Sequence, residues 1–79
     1  MTIREYDIVA LTEDVRATHS ETQQAIMLRR GQVGTVLMCL DDEAFLVDFA
    51  DNKGQTYATE TIPSQKVMRL LHEPVLAVA

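Results

Sequence analysis

Few side chains in this 79-residue chain are of the types that do chemistry, and their spacing limits what they can do. Asp41-Asp42-Glu43 is the densest run of carboxylates. General acid–base work needs two carboxylates held in a pocket that shifts their proton affinity. Three adjacent carboxylates between two apolar runs read instead as a solvated hairpin turn. Asp51-Asn52-Lys53-Gly54 has the flavour of a calcium loop but lacks the alternating ligands and the closing Glu, so it too reads as a turn. His19, Cys39 and His72 are the soft metal ligands, spread over a loop, a mid-strand position and a strand end. Structural zinc takes four ligands, mostly in close pairs, so no metal and no other cofactor is expected. A nucleophilic Cys39 would need exposure and a neighbouring base; in mid-strand it is expected to be a buried core thiol. Tyr6, Phe45, Phe49 and Tyr57 could line an aromatic groove for an extended or proline-rich peptide, with Asp48 facing solvent as its acidic lip. Four aromatics in so small a chain are more simply core. No catalytic residue is assigned, and the chain is expected not to be an enzyme.

The elements that must hold these groups can be read from periodicity. Tyr6 to Leu11 is a first strand, and Val33 to Leu40 a second, with Val33, Thr35, Leu37 and Cys39 on one face and Val36, Met38 and Leu40 on the other. Ala44 to Phe49 returns from the acidic turn as a third strand. The turn at Asp51 to Gly54, with Asn52 and Gly54 tolerating positive φ, leads into a fourth strand from Gln55 to Ile62, stopped by Pro63. Gln65 to Leu71 is the last, with Val67, Leu70 and Leu71 inward. Gly31 and Gly34 serve a tight turn and a close approach of backbones. Between the first two strands, Ser20-Glu21-Thr22-Gln23 has the spacing of a helix capping box. Glu21 stands at the positive end, Arg29 and Arg30 at the negative end, and Gly31 where a terminating glycine belongs. With Ala25, Ile26, Met27 and Leu28 as an apolar face, these signals predict a short helix near residues 21–29, within an insert spanning 20–30. Five short strands with tight turns predict a mainly β chain folded as a small, strongly bent barrel.

Composition bounds the rest. The chain is one domain, 47% hydrophobic but only 5% aromatic and without Trp, so Val, Leu and Ile must supply a thin core. A thin core favours self-association or a protein partner. Twelve acidic against seven basic residues give a net charge of −5, which disfavours nucleic acid and anionic membranes and suits a basic protein or peptide. One cysteine excludes an internal disulfide, the start lacks the apolar run of a signal peptide, and no segment reaches the roughly 18 apolar residues of a span. A cytoplasmic bacterial protein is the expectation. The tail from His72 to Ala79 is apolar from Pro74 onward; it adds an edge strand, docks on a partner or stays disordered.

Tyr6-Asp7-Ile8-Val9-Ala10-Leu11, Arg30-Gly31 with Gly34-Thr35-Val36, Val47-Asp48-Phe49, and Gly54-Gln55-Thr56-Tyr57-Ala58 with Leu70-Leu71 together resemble a family of small bacterial proteins known only as a domain of unknown function. The resemblance covers about Tyr6 to Leu71 and implies a five-stranded SH3-like barrel over residues 6–71. It transfers no catalytic residue. It implies stand-alone proteins, some encoded beside a small partner in a toxin–antitoxin-like arrangement, some on mobile gene cassettes. The loop from Arg16 to Leu28 is longer here than in the family pattern, and this loop flanks the binding groove in such barrels.

These readings lead to a non-enzymatic interaction module that binds a cognate basic protein or a second copy of itself. One version is an antitoxin-like neutraliser whose acidic surface covers a basic active site. The alternative is a nucleic-acid-binding barrel: Gly31-Gln32-Val33-Gly34 resembles the glycine pattern of ribosomal KOW motifs, and Arg29 and Arg30 would meet phosphate. The expected contact surface is the insert and the second hairpin turn: Gln24, Met27, Asp48, Asp51 and Tyr57.

Overall fold

A computed structural model describes residues 2–77. Seven strands run in chain order: β1 (Ile8–Leu11), β2 (Val15–Thr18), β3 (Ala25–Leu28), β4 (Val33–Cys39), β5 (Ala44–Ala50), β6 (Thr56–Pro63) and, after a single 3-10 turn (Ser64–Lys66), β7 (Val67–Arg69). Five make one antiparallel sheet in the order β6-β5-β4-β1-β7; β2 and β3 make a second, two-stranded sheet. The five strands expected of a barrel are thus all present, in place within a few residues. The predicted barrel itself is not: among the described residues no ladder joins β6 to β7, the sheet's two outer strands. Two causes are visible. The flank of β6 is taken by β2, with Thr18 N–H donating to Glu60 Oε2 at 2.9 Å and Ser20 N–H to the Tyr57 carbonyl at 2.8 Å. β7 has three residues only, and all three pair with β1.

The predicted helix between the first two strands is likewise absent; the segment is the β2–β3 hairpin. Its pairing sets Val15 opposite Leu28 and Ala17 opposite Ile26, and these four side chains pack on the core while Arg16, Met27, Thr18 and Ala25 face outward. That is a period of two on both strands, and burying it outweighs the weak local preference of a two-turn helix. Every residue of the supposed caps has other work. Gln23 sits at φ 63°, which a helix forbids, and its side-chain amide donates to the Ser20 carbonyl at 3.0 Å. Gly31, at φ 94°, closes a turn in which Gln32 N–H donates to the Arg29 carbonyl at 2.9 Å.

Alternation along β5 turns Phe45, Val47 and Phe49 into the core, where Val9, Leu11, Leu28, Val36, Ala58, Ile62 and Val67 meet them. Gly34 lies on β4 beside Val47, Asp48 and Phe49 of the neighbouring strand β5. A Cβ there would stand 2.6 Å from Val47 Cγ1, 2.9 Å from the Asp48 carbonyl oxygen and 3.0 Å from Phe49 Cε1, so the close approach read from sequence is real. The turn at 51–55 is also as read, with Gly54 at φ 80°, although Asn52 needs no positive φ.

Two bulges change which face later residues take. In β4 the register moves from Val36↔Val47 to Met38↔Leu46, leaving Leu37 unpaired and reversing the alternation beyond it. Cys39 therefore lies opposite Phe45, at the sheet's end, and is exposed, which corrects the expected buried thiol. Its Sγ is 3.8 Å from the Ile3 carbonyl. Native protein should accordingly take up one equivalent of a maleimide or aromatic disulfide reagent without denaturant; labelling that begins only when the chain unfolds would contradict this placement. In β7 Val67 is inward as expected, but Leu71 is exposed, because the strand ends at Arg69. The tail's described residues, 72–77, join no strand, and Val75 and Leu76 are 92% and 93% exposed; Val78 and Ala79 lie outside the described residues.

Candidate functional site

Two of the residues expected to make contact, Asp51 and Tyr57, line a seam between two turns. The β2–β3 turn is closed by His19 N–H donating to the Gln24 carbonyl at 2.8 Å. Within it His19 Nδ1 accepts from the N–H groups of Glu21 and Thr22 at 3.2 and 3.3 Å, so the imidazole caps its own turn. Across the seam, Asp51 Oδ1 accepts from the N–H groups of Lys53 and Gln55 at 2.8 and 3.0 Å, holding the β5–β6 turn in the same manner. Gln55 Nε2 donates to Glu21 Oε1 at 3.3 Å, tying the turns together.

Tyr57 owes its place to the second bulge. Phe49 pairs with Ala58 and Ala50 with Thr56, so Tyr57 is the extra residue, turned toward the β3–β4 turn. There its hydroxyl accepts from Gln32 Nε2 at 2.6 Å, while Gln32 Oε1 accepts from Arg29 N–H. The cleft in this seam has a volume of only about 120 Å³ and is lined by His19, Glu21, Asp51, Gln55, Thr56 and Tyr57. Its polar groups are already hydrogen-bonded, within the cleft or, for Thr56 and Tyr57, to Asp48 and Gln32 beside it.

Of the five expected contact residues, then, Asp51 and Tyr57 are brought together. Asp48 stands behind them, half-buried and accepting from the Thr56 hydroxyl at 2.8 Å rather than facing solvent as a lip. Gln24 is exposed in the facing turn without lining the cleft, and Met27 projects from the outer side of β3 opposite Arg16. The aromatic groove does not form: Phe45 and Phe49 are core, while Tyr6 is 73% exposed at a positive φ of 69° before β1. Arg29 and Arg30 have no helix to cap; the N–H of Arg30 donates to Asp14 Oδ1 at 2.8 Å. The acidic run is the turn it was read as, with Leu40 N–H bonded to the Ala44 carbonyl and Glu43 N–H to Asp41 Oδ1. Among the described residues no three His, Cys, Asp or Glu side chains are grouped to hold a metal ion. None of the described helical segments is long and apolar enough to cross a membrane.

Periodicity alone passed over a larger feature. An open groove of about 620 Å³ lies where the chain crosses from β6 to β7. Ile3, Phe45, Val67 and Met68 give it apolar walls, and Asp41 and Asp42 a charged rim. It is assembled from three separate stretches of chain, 2–3, 39–45 and 64–69, and Ile3 reaches it from ahead of the first strand, so no local pattern announces it. The signal available in sequence was the acidic turn set directly before Phe45.

A family model described as "Domain of unknown function (DUF4926)" matches residues 5–69. No curated protein and no solved structure matches the chain.

Proposed function

The chain belongs to the family described as a domain of unknown function, DUF4926; we propose that it acts as a small non-enzymatic interaction module for a basic protein partner. The observation that supports this reading is the outer face of the five-stranded sheet. Ala10 pairs with Val33 on one side and Met68 on the other, so the three stand in one row. Val33 and Met68 are 49% and 53% exposed, and Ile8 continues the apolar surface along β1. Exposed apolar surface flanked by charge is what a protein contact uses. A net charge of −5 opposes a second copy on that face and favours a basic occupant. The antitoxin-like neutraliser is the form of this reading in which the partner's basic surface is its active site.

The test is recovery of partner from lysate of the source organism by tagged protein, with light scattering of the bare protein alongside. Wild type is expected to be a monomer that retains one basic protein in fixed ratio. Val33→Asp, which lies outside the groove, should retain at least about tenfold less if its circular dichroism matches wild type. A monomer that retains nothing, or a stable dimer that retains nothing, overturns the reading.

A further inference from the structure

We propose that the groove between β6 and β7 holds an extended peptide segment in which an apolar side chain stands next to a lysine or arginine. The proposal rests on the interaction-module reading and names a place and a chemistry for it. The floor is the core's own end, left open because the sheet does not close. Phe45, opposite Ile62 on β6, and Val67, opposite Leu11 on β1, both face it, and Ile3 packs against the same cluster. A volume of about 620 Å³ accepts two or three side chains, within the usual range of about 300–1,000 Å³ for binding clefts.

Charge decides what those side chains carry. Both cations on this stretch are already engaged. Arg69 Nε lies 3.3 Å from Asp7 Oδ2, and Lys66 Nζ lies 3.5 Å from Glu13 Oε1. Asp41 and Asp42, on the opposite rim, are in no ion pair among the described residues. Asp41 is held by its own turn at φ 93°, with Oδ1 accepting from Glu43 N–H at 2.7 Å. Among the described residues the groove thus presents apolar walls beside two carboxylates without a counter-charge. A neutral apolar segment would leave them unanswered, and an acidic one would be repelled. The chain's own tail carries no lysine or arginine after Arg69, so it is the wrong occupant by the same criterion.

The test is a titration of nitrogen-15-labelled protein, followed by amide shifts, with the peptide acetyl-Leu-Lys-Arg-Leu-amide and its counterpart acetyl-Leu-Glu-Glu-Leu-amide. The basic peptide should move the amides of Ile3, residues 39–43 and residues 64–69, and the acidic peptide should not. Asp41→Asn with Asp42→Asn, which retains the turn-forming side-chain oxygens, should weaken binding about fivefold, as should raising salt from about 0.05 to about 0.5 M. Equal binding of both peptides, shifts confined to the seam at 19–24 and 51–57, or no shifts at millimolar peptide would overturn the proposal. So would groove amides that move with protein concentration alone, which would place a second copy there. Any of these results with partner recovery from lysate intact discards the groove and leaves the interaction module standing. Loss of partner recovery with peptide binding intact does the reverse.

Discussion

Gly34→Ala is expected to lower stability by about 3 kcal/mol, the upper end of what overpacking in a core costs. The added methyl would meet Val47 Cγ1 at 2.6 Å and the Asp48 carbonyl oxygen at 2.9 Å. The valine methyl can rotate away; the carbonyl belongs to a strand paired on both sides and cannot. A domain of this length holds only about 4–12 kcal/mol in total, at about 0.05–0.15 kcal/mol per residue. The melting temperature should therefore fall by roughly 12–24 °C, at about 4–8 °C per kcal/mol. Urea unfolding of the two proteins gives the difference directly, and a shift below about 0.5 kcal/mol would mean that Gly34 is not so tightly packed against β5. Gly31 supplies the contrast. Nothing lies within 4 Å of a Cβ there, and only its φ of 94° resists a side chain.

Phe49→Ala is the second large effect, with an expected loss of about 3–5 kcal/mol. The ring is fully buried at the centre of the core, with Ala58 directly opposite on β6 and Gly34 beneath its edge. Two small residues make room for one large one, so neighbouring side chains cannot collapse far into the space it leaves. The two substitutions should not add. Removing the ring frees one side of Gly34, and the double variant should be at least about 1 kcal/mol more stable than the sum of the single losses predicts. Strict additivity, measured by denaturant unfolding of all four proteins, would show that the ring and the glycine do not touch.

The parts of this fold that were legible are those in which one residue pattern has one physical meaning. Alternation in Ala44 to Phe49, the glycine at 54 and the proline at 63 located β5, the following turn and the end of β6 to within a residue or two. The β2–β3 hairpin was hidden because its residues satisfy two grammars. Ser20, Glu21, Gln23 and Gly31 are spaced for helix caps, and Ala25 to Leu28 is too short for its period to be distinguished. What decides is Val15 and Ala17, ten or so residues away, facing Leu28 and Ile26 across the hairpin. The bulges at Leu37 and Tyr57 were hidden for a related reason. An unpaired residue leaves no mark in composition, yet everything beyond it changes side: Cys39 moves to the face of Phe45 and is exposed only because it lies at the sheet's end. The 620 Å³ groove depends on three stretches meeting; Cys39, Asp41, Asp42 and Phe45 are the residues in it whose types suggest a site, and in sequence each has a plainer reading as core or turn.

The pairing of β1 with β7 bears on how the chain acquires its shape. β4, β5 and β6 are successive antiparallel neighbours joined by tight turns, and they can zip together locally. β1 is different: Val9 faces Arg69, and Leu11 faces Val67, nearly the whole chain apart in sequence. Closing so long a loop is slow, and contacts of that separation dominate the rate of small β proteins. On the ribosome, the first strand to emerge must wait for the last before its second edge is covered. Until then Val9 and Leu11 belong to an unfinished molecule, and synthesis of the final strand completes the fold.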